Sequence, residues 1–136
     1  MSIRDRIKEF RRVPAADLIP APLNWRTHGD DQRAAIRGLL TEVGIAGAVI
    51  AYNTPAGLQL IDGHLRTEEI GNDADIPCLI LDVDEHEAKK LLATFDPISQ
   101  LAGVDAEKLE ALLRDVQTSN EAVATMLDEL ATQAGI

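Results

Sequence analysis

The sequence predicts an α/β fold of the α+β kind: one small mixed sheet with flanking helices, extended by a C-terminal helical hairpin. Three observations predict it. The apolar blocks 48–52 and 58–61 are separated by the turn-forming run Asn53-Thr54-Pro55-Ala56-Gly57, which is the pattern of paired strands. The second block leads straight into Asp62-Gly63-His64 and a short helical stretch, so a strand, a tight turn and a helix follow one another. Towards the C-terminus, apolar residues recur at helical spacing in two successive runs.

Length and composition bound the rest. A chain of 136 residues holds one ordinary core and is short for two full domains. Its apolar fraction of 46% lies in short blocks over the whole length, and with aromatics at 3% the core falls to Leu, Ile, Val and Ala. No apolar run approaches the roughly 20 residues that cross a bilayer, and Met1-Ser2-Ile3-Arg4-Asp5-Arg6 lacks a signal peptide's apolar stretch. A cytoplasmic location with no membrane partner is therefore expected. Cys78 sits inside Ile76-Pro77-Cys78-Leu79-Ile80-Leu81 and reads as a buried thiol, with no second cysteine for a disulfide and no partners for a thiolate zinc site.

The net charge of -10 argues against a protein that holds nucleic acid chiefly through its phosphates. The charge is uneven, however: residues 1–40 carry eight Arg or Lys against five acids, and the remainder carries five against eighteen. The basic front end is either a phosphate-facing surface or a solvated arm.

In chain order, residues 1–10 read as an arm or a short helix, with Ile3, Ile7 and Phe10 on one side. Pro14, Pro20 and Pro22 then impose an extended path, with a short strand around Arg12 and a loop to Trp25. Asp30 is placed to cap a helix beginning near Asp31, whose apolar face is Ala35, Ile36, Leu39, Leu40 and Val43 and whose stop is Gly44. The strand pair follows with a five-residue turn, then a helix from Leu65 to Ile70 stopped by Gly71. Residues 76–83 suit a strand buried on both faces. Asp84 with Glu87 forms a capping box for a helix running to about Phe95, where Asp96-Pro97 ends it. The α/β domain thus spans 11–97. Residues 98–136 form the helical extension, which either packs on the core or offers an apolar stripe to a partner.

The Gly63 turn is where chemistry is expected. The first amides of the helix have no intrahelical acceptor, and the helix dipole favours an anion there. Gly63 and Leu65 contribute backbone, while Arg66 has a planar guanidinium that grips a phosphate with two hydrogen bonds. His64 can donate, accept or ligate a metal near neutral pH. Asp62 reads either as a base or metal contact, or as a cap on the short helix. His64 and Asp62 are thus the candidate catalytic groups. Trp25 either stacks on a base or packs, and His28 either steadies its own loop or meets the ligand. The three histidines show no metal-ligand spacing, and no metal site is expected.

The order of features resembles the ParB N-terminal and sulfiredoxin-like superfamily over about residues 11–95: Val13-Pro14 with Asp17-Leu18-Ile19-Pro20, then Asn24-Trp25-Arg26-Thr27-His28, Glu42-x-Gly44, the strand pair, and Leu60-Ile61-Asp62-Gly63-His64-Leu65-Arg66. The resemblance implies that Gly63, His64, Leu65 and Arg66 hold a nucleotide phosphate, with Arg26, Asn24 and His28 of the first box approaching the same ligand. A nucleoside triphosphate, CTP or ATP with Mg2+, is the implied cofactor. Partition ParB proteins carry Gly-Glu-Arg-Arg where this chain has Gly63-His64-Leu65-Arg66, which argues against a CTP switch. Sulfiredoxins carry a cysteine where His64 stands, and imidazole cannot replace a thiolate in that redox chemistry.

The closer likeness is to Asp-Gly-His-x-Arg members: archaeal free-serine kinases and ParB-like domains of phages, mobile elements and DNA methyltransferase fusions. The expected function is a ParB-like nucleotide-phosphate-binding domain in DNA-related processes, with DNA, a DNA-modifying protein or a second copy in a homodimer as partners. Two alternatives stand beside it: a metal-dependent nuclease, NTP hydrolase or small-molecule kinase, and a non-catalytic interaction module.

Overall fold

The computed structural model describes residues 2–136; Met1, the first residue of the expected arm, lies outside them. The chain forms two compact units, one of residues up to 26 together with 46–99, the other of 27–45 with 100–136.

The first unit is built on a five-stranded mixed sheet of strands β1 (Ile7–Pro14), β2 (Leu18–Ile19), β3 (Val49–Thr54), β4 (Gly57–Asp62) and β5 (Asp75–Leu81), in the order β1-β5-β3-β4-β2. β1 runs antiparallel to β5 and β3 antiparallel to β4, while the β3–β5 and β2–β4 pairs are parallel. Residues 7–10, expected in an arm or short helix, are the first half of β1. The spacing of Ile7 and Phe10 suits a helix, but pairing with β5 satisfies every other amide of the segment, and a lone helical turn has no such support.

Alternation along the strands gives the sheet two apolar faces. Val49, Ala51, Leu58, Leu60, Ile76, Cys78 and Ile80 pack on one face, where Ile70 of the helix after β4 joins them. Tyr52, Ile61 and Leu81 occupy the other, beneath the helix after β5. Burial pushes the Cys78 thiol pKa up, as expected of an inert core thiol. The β3–β4 turn is tighter than the five residues expected, because Thr54 pairs with Gly57 and leaves only Pro55 and Ala56 between them. The Thr54 hydroxyl closes it, accepting from the Ala56 amide at 3.1 Å and donating to the Gly57 carbonyl at 2.8 Å. Threonine's local bonding to the backbone is the signal that shortens the loop.

Helix α1 (Asp30–Glu42) belongs to the second unit; α2 (His64–Ile70) and α3 (Glu85–Gln100) flank the sheet. The box at α3 closes as expected, with Glu87 donating its amide to Asp84 Oδ1 at 2.8 Å and its carboxylate accepting from the Asp84 amide at 3.1 Å. α3 does not stop at Asp96-Pro97 but carries Pro97 inside it. Proline's φ is itself helical, so the loss is one amide donor rather than the whole helix.

In the second unit, α1 packs against α5 (Glu121–Gln133), with α4 (Ala106–Asp115) before it. Asp30 is the first residue of α1 rather than its cap, since Gly29 takes that position without a side-chain bond. Gly44 ends α1 as expected, in the left-handed region at φ 105°. The Glu42 carboxylate accepts from the Thr118 hydroxyl at 2.6 Å and the Asn120 amide at 2.8 Å, which lowers its pKa. Asp105 and Asn120 cap α4 and α5, accepting from the amides of Lys108 and Val123. No helix among the described residues is long and apolar enough to cross a membrane.

Candidate functional site

At the end of β4 the chain turns through Gly63, whose φ of 100° lies in the left-handed region, and enters α2 at His64. A Cβ at Gly63 would stand 2.5 Å from Val49 Cγ1, so glycine is demanded both by the backbone and by β3 behind it. Gly63 O accepts from the Thr67 amide at 3.0 Å and from its hydroxyl at 2.8 Å, which fixes the first turn of α2.

His64, expected as a catalytic or ligand group, is buried, with 8% exposure. Its Nε2 accepts the amide hydrogen of Ala21 at 3.1 Å. A nitrogen that accepts carries no proton, so the ring holds the loop after β2 against the start of α2, and that lone pair is not offered to a substrate. Asp62 does not cap α2, whose N-terminus has no side-chain cap bond. The carboxylate is half-buried and has no hydrogen-bond partner among the described residues.

Arg66 folds back across the turn onto the entry to β3. Its Nη2 donates to the Ala48 carbonyl at 3.3 Å, and Nη1 lies 2.5 Å from where a Gly47 Cβ would be. The guanidinium is therefore seated on the backbone, not locked to a carboxylate. Gly47 and Ala48 are absent from the sequence-level candidates. The trace that marks them is a second glycine three residues after the helix stop, at a point where backbone and side chain approach closely.

Each expected residue of the first box has a partner of its own. Arg26 pairs with Asp96 Oδ2 at 3.0 Å and lies over the Trp25 ring at 4.3 Å. The Trp25 indole donates to the Leu92 carbonyl at 3.2 Å, so the residue packs on α3. Asn24 is half-buried and donates its amide to the Ala21 carbonyl at 3.1 Å, closing a turn. His28, in the second unit, has its Nδ1 2.9 Å from Gln32 Oε1, a contact with the first turn of α1. The first unit thus brings together the Gly63 turn, His64, Leu65 and Arg66, with Asp62 beside them.

A mixed five-stranded sheet entered by an N-terminal strand, with a glycine turn opening a short helix, defines a ParB-like α+β fold. The chromosome-partitioning protein ParB from Caulobacter crescentus, C-terminally truncated and complexed with CTP-gamma-S, is similar at a TM-score of 0.65 and 17% identity, over 90% of this chain and 79% of that one. The same protein complexed to the centromeric parS site gives 0.53 and 13%, over 91% and 69%. A Pnob8-like ParB-N domain gives 0.54 and 20%, over 68% of this chain but only 39% of that one. No protein-family model matches the sequence, and no curated protein matches it.

Proposed function

We propose that this chain is a nucleotide-binding ParB-like domain acting in a DNA-related process, and that the nucleotide's phosphates sit at the turn Gly63-His64-Leu65-Arg66. The observation that carries the reading is the placement of Arg66: its guanidinium lies at the entry to β3, whose Val49 stands behind Gly63, held by one bond to Ala48, with further N–H groups left to meet an anion. Its support from outside the chain is the likeness to a ParB complexed with CTP-gamma-S, which favours CTP as the first nucleotide to try. In this reading His64 is a positioning residue that fixes the turn, and Asp62 is free to meet a nucleotide-bound Mg2+. Binding to DNA is the corresponding expectation from the parS complex.

The test is a thermal-shift panel of CTP, ATP, GTP and ADP, each with and without Mg2+. A ligand at about a hundred times its Kd adds about 2.7 kcal/mol to the native state, so a rise of several degrees is expected with CTP. Arg66→Ala should lose most of that rise while melting as cooperatively as wild type. An unshifted melting temperature across the whole panel would sink the proposal.

A further inference from the structure

On the α3 side of the sheet, the first unit holds a cleft of about 430 Å3. Small-molecule sites run from about 300 to 1,000 Å3, so the space is adequate for one ring system with substituents. The cleft opens at the hairpin end of β3 and β4. One end of the cleft reaches Ile61 and Ala21, close to the Gly63 turn, whereas Gln59 lies towards the hairpin, four residues of extended chain or about 13 Å from Gly63.

Pro22, Leu23, Pro55 and Leu92 wall the cleft. Tyr52 and Gln59 stand in it as a directly paired couple of the antiparallel hairpin, so their side chains emerge side by side on the same face. Tyr52 is only 5% exposed, yet its hydroxyl has no hydrogen-bond partner among the described residues, and neither has the Gln59 amide. Among those residues no fully enclosed side-chain oxygen or nitrogen lacks a partner, so the phenol oxygen is reached from the cleft. A tyrosine buried to this degree ordinarily satisfies its hydroxyl within the protein. Here two adjacent polar groups keep their hydrogen bonds unspent between apolar walls.

The chemistry of that pair limits the ligand. A hydroxyl and a carboxamide together offer donors and acceptors side by side, matching the adjoining C=O and N–H of an amide or lactam. Asp84, Glu85 and Lys89 line the cleft, and with Lys89 paired to Glu85 at 3.1 Å the charge left over is that of Asp84, which disfavours an anion. We propose that this cleft binds an uncharged planar molecule with an amide or lactam edge. Tyr52 and Gln59 hold the edge, the proline and leucine side chains cover the ring, and the site works independently of the Gly63 turn.

Titration of the full chain with nicotinamide and with 2-pyridone, each to about 10 mM and followed by backbone amide NMR, tests this. Saturating shifts at Tyr52, Gln59 and Ala88 are expected. Tyr52→Phe and Gln59→Leu preserve volume, and each should weaken the affinity about five- to tenfold. Nicotinate, the anionic analogue, should bind no more than weakly, and Arg66→Ala should bind both probes as wild type does. The proposal is overturned if neither probe gives saturating shifts at those amides, if both variants bind as wild type does, if nicotinate binds as well as nicotinamide, or if Arg66→Ala abolishes the shifts.

Discussion

The Nε2 atom of His64 accepts the amide hydrogen of Ala21 at 3.1 Å, joining the loop after β2 to the first turn of α2 across 43 residues of sequence. The ring is buried, so its loss would leave both a cavity and an amide without an acceptor. His64→Ala is therefore expected to destabilise the protein by about 2–4 kcal/mol, read as a lower urea midpoint with an unchanged slope. A histidine retained only for chemistry would leave the midpoint where it is.

Glu87 carries the clearest pH dependence. Its carboxylate accepts from Arg6 at 2.7 Å and from the Asp84 amide at 3.1 Å, and the Arg6 hydrogen bond leads in lowering its pKa from 4.5 to about 2. A depressed native pKa means that the unfolded chain binds the proton more readily. The stabilisation is thus fully present above the ordinary carboxylate range and is lost as pH falls from 4.5 towards 2. The stability difference between wild type and Glu87→Gln, measured by urea melts at a series of pH values, should be greatest near neutrality and shrink across that window. A difference that stayed constant down to pH 2 would show that the carboxylate's charge has no part in it.

The capping box around Glu87 was legible because both of its partners lie within four residues, and so were the hairpin, the Gly63 turn and both glycine helix stops. What was not legible depends on partners distant in sequence. Residues 7–10 carry a helical spacing but are claimed by β5, some seventy residues on. Arg66 could be recognised as a cation beside a helix start, but nothing local said that Gly47 and Ala48 would seat it. Arg26 pairs with Asp96, seventy residues away, a partner that nothing local announces. Pro97 misled for a different reason: its rule is a preference of about 3 kcal/mol per residue, which packing along the rest of α3 can outweigh.

Gly38 and Asn120 offer a test of the second unit. A Cβ on Gly38 would stand 2.4 Å from Asn120 Oδ1, the atom that accepts the Val123 amide to cap α5. Alanine ordinarily gains about 1 kcal/mol over glycine inside a helix. Here the added methyl displaces the cap and crowds the α1–α5 contact, so Gly38→Ala should destabilise by about 1–2 kcal/mol net. In an Asn120→Ala background the obstruction is gone, and the same substitution should turn stabilising. Denaturant melts of the four proteins in a double-mutant cycle decide the point: additivity would mean that the two side chains do not compete for one space.

Gly47, before β3, and Gly63, at the start of α2, should answer differently to alanine. At Gly63 a Cβ meets Val49 at 2.5 Å and the backbone is left-handed, so Gly63→Ala should cost about 3 kcal/mol or more and is useless as a binding test. At Gly47 the obstacle is Arg66 Nη1, the far end of a flexible side chain, and Gly47 is not among the glycines of positive φ. Gly47→Ala should therefore cost under about 1 kcal/mol while pushing the guanidinium off the Ala48 carbonyl. If that seat aims Arg66 at a phosphate, the melting-temperature rise given by CTP should fall in Gly47→Ala almost as far as in Arg66→Ala, with both unliganded variants still folding cooperatively. A full CTP response in Gly47→Ala, alongside its loss in Arg66→Ala, would show that the arginine finds the anion without its seat.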